Sequence, residues 1–294
     1  MIVVSSCPVC GSENLEKTPA VLMPFISFRI FGWTPLVIAD ESGMRSLENG
    51  TSYQLCATTY CKQCTLVFCD VRFDDEEMSR LYKNYREAEY IAQRRIFEPD
   101  YERTNAYLMQ PLHYLRANDE YLEHFTSGVS TVLDWGGGDG TNTPLTHTGR
   151  TIHIFDISGQ KARRLQNGVT VIDKLVEGEN TYDLVAAMHV FEHLSNPVQD
   201  LIHLRSFLNP EGFIYIEVPL ERLIDFEMTC SEHASQKVHW HEHINFYSKN
   251  SMRALLDATG FKIVDVSTFD ASDDFRNFQI IRAIAQTICR HRDS

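Results

Sequence analysis

The sequence predicts an α/β fold in its second half, a sheet covered by helices on both faces, preceded by a small domain held together by cysteines. Three observations carry this reading. After Gly128 the chain alternates apolar strand, turn and helix, the rhythm of an α/β sheet. One of those strands runs into Gly136, Gly137, Gly138 and Gly140. Of eight cysteines, Cys7, Cys10, Cys56, Cys61, Cys64 and Cys69 fall in the first 70 residues, while Cys230 and Cys289 come later.

The chain divides into three parts, 1–73, 74–126 and 127–294. Residues 1–73 show few helical periodicities and several turn signals, so something other than a large core is expected to organise them. Within them Val21 to Ala39 is apolar but broken by Pro24, Arg29, Gly32 and Pro35, too interrupted for the roughly 20 residues of a membrane span. It is expected as a buried or partner-covered loop. The opening residues lack the basic region and long apolar run of a secretory signal, which points to the cytoplasm. Clustered cysteines in a reducing compartment suggest metal and not disulfides.

Residues 74–126 read as a helical connector. Acidic residues from Asp74 open a helix with Met78, Leu81, Tyr82 and Tyr85 at helical spacing, and a second pattern runs from Tyr101 to Phe125, interrupted near Pro111. In 127–294 the expected strands are Thr131–Asp134, Ile152–Asp156, Thr170–Ile172, Tyr182–Met188, Phe213–Val218 and Phe261–Val266, with Phe278–Ile284 as a seventh. Helices are expected over Gln160–Leu165, Pro197–Phe207 and Lys249–Ala258, the last capped by Ser248.

A formal charge of −13 disfavours a generic nucleic-acid binder, because phosphate neutralisation needs a concentrated basic surface. The 43% hydrophobic content is ample for a core.

The sharpest local feature is "TVLDWGGGDGTNT", a strand ending in Asp134 followed by glycines spaced G-x-G-x-G and by Asp139. Glycine lets the backbone approach a ligand with no Cβ in the way. The dinucleotide fingerprint would need glycine at 141, which is Thr141. The next strand ends at Asp156, where a carboxylate can accept both hydroxyls of a cofactor ribose. Together with "YDLVAAMHVFEHLSNP", these strand ends resemble class I methyltransferases, which have a Rossmann-like sheet. The resemblance implies that the glycine loop (Asp134, Gly136, Gly138, Asp139, Gly140) holds the methionine part of S-adenosylmethionine and Asp156 its ribose. Asp173, after the third strand, either meets the adenine or is a solvated strand-end aspartate.

Cys7-x-x-Cys10 and Cys61-x-x-Cys64 are two knuckles whose spacing lets four thiolates reach one tetrahedral zinc ion. Cys56 and Cys69 are alternative members of that set or inert thiols. "CPVCGS", "CKQCTLVFCDVRFDDEEMSRLYKNY" and the glycine loop, in that order, resemble sugar C-methyltransferases, which place a zinc domain before the catalytic one.

"SEHASQKVHWHEHINFYSKN" gathers His233, His239, His241 and His243 after the fifth strand. In an extended conformation His239, His241 and His243 share one side, so a second metal site is one reading. The resemblance implies another: a segment similar to "HEHINFYS" supplies a histidine and polar neighbours that manage a proton at the substrate carbon. His241, Glu242 and His243 match that pattern, and Trp240 stands where a tyrosine is expected. His243 is the first choice of base, oriented by Glu242 or His193, with His189 or His241 as hydrogen-bond donor to a developing oxyanion. In "HVFEHL", Glu192 has a plain alternative as a backbone hydrogen-bond partner. The function expected is methyl transfer to a small molecule, a nucleotide-linked sugar or related metabolite, with no membrane involved. An RNA-modifying methyltransferase and a non-enzymatic zinc-ribbon adaptor are the alternatives.

Overall fold

The computed structural model describes residues 1–43, 46–158, 168–224, 231–272 and 277–288. The helix expected at 160–165, Cys230 and Cys289 lie outside them.

The N-terminal part is built on three antiparallel strands, β1 (Leu15–Leu22), β2 (Leu55–Cys61) and β3 (Val67–Cys69). Between β1 and β2 the segment expected as a loop forms helix α1 (Pro24–Phe31), and its far end, Leu36–Ile38, pairs with Gly50–Ser52. Pro24 starts α1, where a missing N–H costs nothing, and Gly32 ends it at φ 72°. Pro24 and Gly32, two of the residues that break the apolar run, are thus the helix boundaries. Phe25, Ile26 and Ile30 make the segment buried, as expected.

The connector supplies α2 (Asp75–Tyr82), α3 (Ala88–Arg95), α4 (Tyr101–Leu108) and α5 (Leu115–Phe125). Asp74 and Glu77 form a reciprocal capping box at the start of α2. Then come β4 (Thr131–Trp135), β5 (Thr151–Phe155), β6 (Val169–Val171), β7 (Tyr182–Met188), α6 (Pro197–Arg205) and β8 (Leu208–Leu220). The short strands β9 (His239–Trp240) and β10 (Asn245–Phe246) precede α7 (Lys249–Ala258), β11 (Phe261–Ser272) and β12 (Asn277–Thr287). Ser248 caps α7 as expected.

The large sheet runs β6-β5-β4-β7-β8-β12-β11, parallel except for β12, which is antiparallel to both neighbours. Alternation along β7 separates its two faces: Leu184 and Ala186 pack with Leu122 of α5, and Val185 and Ala187 pack with Leu201 of α6 and Leu255 of α7. The strand order reverses on either side of β4, so the carboxyl ends of β4, β5 and β7 open a crevice.

The smaller sheet runs β9-β1-β2-β3-β10, with both outer strands drawn from the histidine segment. It does have a core, in which Leu22, Phe25 and Ile26 meet Tyr90 of α3 together with Trp240 and Phe246. The expectation of a coreless unit fails because its own apolar residues are joined by Tyr90 of the connector and by Trp240 and Phe246 from far along the sequence. The cysteine knuckles pack against the main core, which includes Tyr247 and Met252.

Candidate active site

A cleft of about 780 Å³ lies between the carboxyl ends of the large sheet and helices α2 and α4. Asp134, Gly136, Gly138, Asp139 and Asp156 line it, whereas Gly140 and Asp173 do not. Gly136 has φ 81°, which L side chains rarely adopt. A Cβ on Gly137 would sit 2.2 Å from Asp134 Oδ2. The close approach is possible because Asp134 lies beneath the loop, 2% exposed, accepting a 2.6 Å hydrogen bond from Thr143. Burial, opposed by that hydrogen bond and aided by the nearby Asp156 charge, pushes the Asp134 carboxyl up to about 7.

That shift has a stability consequence. The folded chain holds a proton on Asp134 that the unfolded chain, with an ordinary carboxyl near 3.8, has released, so stability declines as pH rises from about 4 to 7. Asp134→Asn is expected to remove this decline, on the order of 4 kcal/mol at most. Urea midpoints measured across that window check it, and equal slopes in variant and wild type would refute it.

Asp156 accepts the Gly138 N–H at 2.9 Å and the Ser158 N–H at 2.8 Å. A carboxylate has about four lone-pair positions, so capacity for ribose hydroxyls remains. Open glycine backbone beside an acceptor-rich strand end fits an adenosyl cofactor.

Across the cleft, β7 ends at Met188 and His189 follows at φ 55°. His189 Nε2 meets the Tyr114 hydroxyl at 2.7 Å and Glu217 at 3.1 Å, and its Nδ1 lies 3.5 Å from Glu192. Although burial works against its charge, Glu192 and Glu217 hold this imidazole up at about 10. His193 Nδ1 contacts the Glu242 carbonyl and the Tyr82 hydroxyl, each at 3.0 Å. Burial and the neighbouring His243 push it down to about 4. His243 Nδ1 donates to Glu221 at 3.1 Å, which raises the imidazole above its ordinary range despite burial.

The partner of His243 is therefore Glu221, not Glu242. Glu242 is buried on Arg94, with Arg94 Nη2 at 3.3 Å and a shorter contact to Nη1, and accepts the Tyr90 hydroxyl at 3.3 Å. His241 Nδ1 is 3.6 Å from Glu242 and accepts the His243 N–H at 3.3 Å. Glu192, 1% exposed, makes no side-chain hydrogen bond to backbone; neither carboxylate oxygen has a hydrogen-bond partner among the described residues. Trp240 is fully buried and donates to Thr58 Oγ1 at 2.7 Å, so position 240 does not face the cleft. Two phenols reach these histidines, Tyr82 on His193 and Tyr114 on His189, both from the stretch expected only as a connector. His239 lines the cleft, but the side chains that converge are Glu192, His193 and His243, in place of His239, His241 and His243.

In the N-terminal part Cys7 and Cys64 Sγ are 3.6 Å apart, Cys10 and Cys61 Sγ 3.5 Å, and all four lie within 4.8 Å of one another. The two knuckles share one backbone plan. Cys7 O accepts from Gly11 N–H and Cys61 O from Thr65 N–H, while Cys7 N–H reaches Ser12 O and Cys61 N–H reaches Leu66 O. Gly11 and Thr65 both have positive φ. Zinc–sulfur bonds of about 2.3 Å in a tetrahedron put sulfurs about 3.8 Å apart, so the cluster fits that ion. Cys56 and Cys69 are not part of it.

Strand order, glycine loop and cleft define a class I methyltransferase. Residues 82–266 match a family model described as a methyltransferase domain, and the chain belongs to that family. No curated protein matches it at a significant level. Among solved structures, the Burkholderia thailandensis 1,6-didemethyltoxoflavin-N1-methyltransferase, with 1,6-didemethyltoxoflavin and S-adenosylhomocysteine bound, is similar at 15% identity and TM-score 0.51, over 77% of this chain and 96% of that one. A Methanosarcina mazei S-adenosylmethionine-dependent methyltransferase is similar at 13% identity and TM-score 0.43, over 58% and 98%. The protein is an enzyme that transfers a methyl group from S-adenosylmethionine. No helix among the described residues is long and apolar enough to cross a membrane.

Proposed function

We propose that the acceptor is a small molecule, with a nucleotide-linked sugar as the leading class, and that His243 activates it. The observation that carries this is the His243–Glu221 pair: with Nδ1–H donated to a carboxylate, the neutral ring presents Nε2 as a base toward the cleft. Asp134, Gly136, Gly138, Asp139 and Asp156 serve the cofactor; Gly140 contributes through the turn, and Asp173 is the weakest member, since it lies outside the cleft lining. His189, ion-paired and bonded to Tyr114, is suited to donate to a developing oxyanion. His241, its ring centre 5.1 Å from that of His243, is the second candidate donor, His193 packs against His243 with ring centres 4.7 Å apart, and Glu242 anchors the segment through Arg94.

Methyl transfer from a sulfonium is a direct displacement, so cofactor and acceptor must be held with reacting atoms about 3 to 3.5 Å apart. The cleft volume suits a cofactor plus a small acceptor. Among its described lining residues the permanent cations are Arg86 and Arg94, and Arg94 is committed to Glu242 and Glu98. Arg86 donates to the Leu108 carbonyl at 3.2 Å and has no carboxylate partner among the described residues, so it is the cation left for a diphosphate, and the described lining offers an RNA backbone no basic track. Incubation with methyl-labelled S-adenosylmethionine and fractionated cell extract tests this: label is expected in the low-molecular-weight fraction, and label in RNA alone would overturn it.

We further propose that Cys7, Cys10, Cys61 and Cys64 hold a structural zinc ion within the unit 1–73, consistent with a cytoplasmic protein. Because β9 and β10 pair with that unit's sheet, chelation is expected to raise amide exchange both in residues 1–73 and around 239–246, while β4 and β7 stay protected. Unchanged exchange in the knuckles after chelation would refute it.

A further inference from the structure

Three Lewis-basic groups meet on the acceptor side of the cleft. His193 gives its Nδ1 proton to the Glu242 carbonyl, which only accepts, so the neutral ring carries its lone pair on Nε2. His243 gives its Nδ1 proton to Glu221, which leaves Nε2 in the same state. The Glu192 carboxylate is 1% exposed, lines the cleft and has no hydrogen-bond partner on either oxygen among the described residues. The imidazole nitrogens nearest it are His189 Nδ1 at 3.5 Å and His193 Nε2 at 4.0 Å. One ligand atom from each of Glu192, His193 and His243 falls within 4.8 Å of the others.

From this convergence we infer that Glu192, His193 and His243 bind a divalent first-row transition-metal ion. Two imidazole nitrogens and one carboxylate, with further positions open, are a donor set that such ions take. The outer partners are those that metal-binding histidines use: a backbone carbonyl behind His193 and a carboxylate behind His243, each fixing the tautomer and aiming Nε2. Backbone bonds lock the two contributing segments together. Ile244 N–H donates to Glu192 O at 2.8 Å, and Asn245 Nδ2 donates to the carbonyls of Phe191 at 3.1 Å and Leu194 at 2.8 Å. A lone acid–base histidine accounts for the His243–Glu221 pair only; an ion accounts also for the tethered His193 and for a buried carboxylate whose oxygens make no hydrogen bond and whose nearest charge, His189, stands 3.5 Å away.

The inference rests on the acceptor-site reading above and deepens it by restating the part His243 plays there: with an ion bound, His243 Nε2 would be a ligand, and an acceptor oxygen at an open position would release its proton to solvent water before taking the methyl group.

Zinc is the probe. The full-length protein, stripped of metal under reducing conditions, is dialysed against zinc and its content measured by elemental analysis. Wild type is expected to hold one zinc more than His193→Ala/His243→Ala, whatever the cysteines retain, and Glu192→Gln is expected to lose that same ion. Glu221→Gln, which touches only the outer partner, is expected to weaken its binding by about 10- to 100-fold. S-adenosylhomocysteine binding by each variant confirms folding, and the two single carboxamide variants carry the test if the double variant does not fold. Equal zinc content in wild type and all folded variants overturns the ion. If it is overturned while His243→Ala still abolishes turnover, direct proton transfer to His243 stands; if His243→Ala turns over normally, the acceptor-site reading itself fails.

Discussion

Replacement of His243 by alanine is expected to lower turnover by about 10²- to 10⁴-fold while leaving S-adenosylhomocysteine affinity within about twofold of wild type. Binding and chemistry separate because the two halves of the cleft are built from different segments. The cofactor side is the loop after β4 and the end of β5, tied together by the Gly138–Asp156 hydrogen bond. The acceptor side is the turn after β7 and the chain between β9 and β10, tied by the Glu192–Ile244 backbone bond. Removing the imidazole leaves the first set untouched. Glu221→Gln is expected to give a smaller loss, since the ring remains but loses its charged partner. Single-turnover assays with a labelled methyl group, run beside calorimetry, measure both quantities. Near-normal turnover on the true acceptor would contradict the role, and a parallel collapse of cofactor affinity would show that the residue is structural.

Arg94→Met is expected to destabilise the fold by about 3 to 5 kcal/mol, a large share of the 5 to 15 kcal/mol typical of a domain. Glu242 is 7% exposed and sits between Arg94 and His241. Burial opposes its ionisation, but the adjacent His241 and the Arg94 charge outweigh that and hold the carboxyl well below the usual carboxylate range. Arg94 in turn lies over the Tyr101 ring at 4.1 Å and binds Glu98 at 2.9 Å. Its loss strands a buried carboxylate at the centre of the histidine segment. Arg94→Met combined with Glu242→Gln is expected to recover much of the stability, because the pair's net worth is small compared with the penalty for breaking it. Denaturant midpoints separate the outcomes. A loss below about 1 kcal/mol in the single variant would mean that water reaches Glu242 and that the ion pair does not anchor the segment.

The strands of the large sheet were legible because each is a local apolar run with a turn signal behind it: Tyr182–Met188 has the bounds its sequence suggests, and Lys249–Ala258 starts at the Ser248 cap. Three strands extend further than their apolar runs, since Leu208–Leu220, Phe261–Ser272 and Asn277–Thr287 are held by mutual pairing at residues with no apolar alternation. The four zinc-type cysteines were legible because knuckle spacing is a local code. What local reading missed is the long-range part. Trp240 looked like a departure from an active-site pattern, yet it plugs the core of the smaller sheet from its outer strand β9. Glu221 gave no signal, lying 22 residues before His243 in a charged stretch, and Tyr82 was one aromatic of a helical stripe. Glu192 was read as a backbone partner because a carboxylate at a turn start normally is one; only the fold shows it without that bond.

The central claim is that the loop after β4 and Asp156 hold S-adenosylmethionine. Calorimetric titration of the full-length protein with S-adenosylhomocysteine tests it most directly, with Asp156→Ala as the paired variant. Micromolar binding at one site per chain is expected, weakened about 10- to 100-fold in the variant, the range for losing hydrogen bonds to a charged acceptor. Absence of heat with folded wild type, or unchanged affinity in Asp156→Ala, would contradict it.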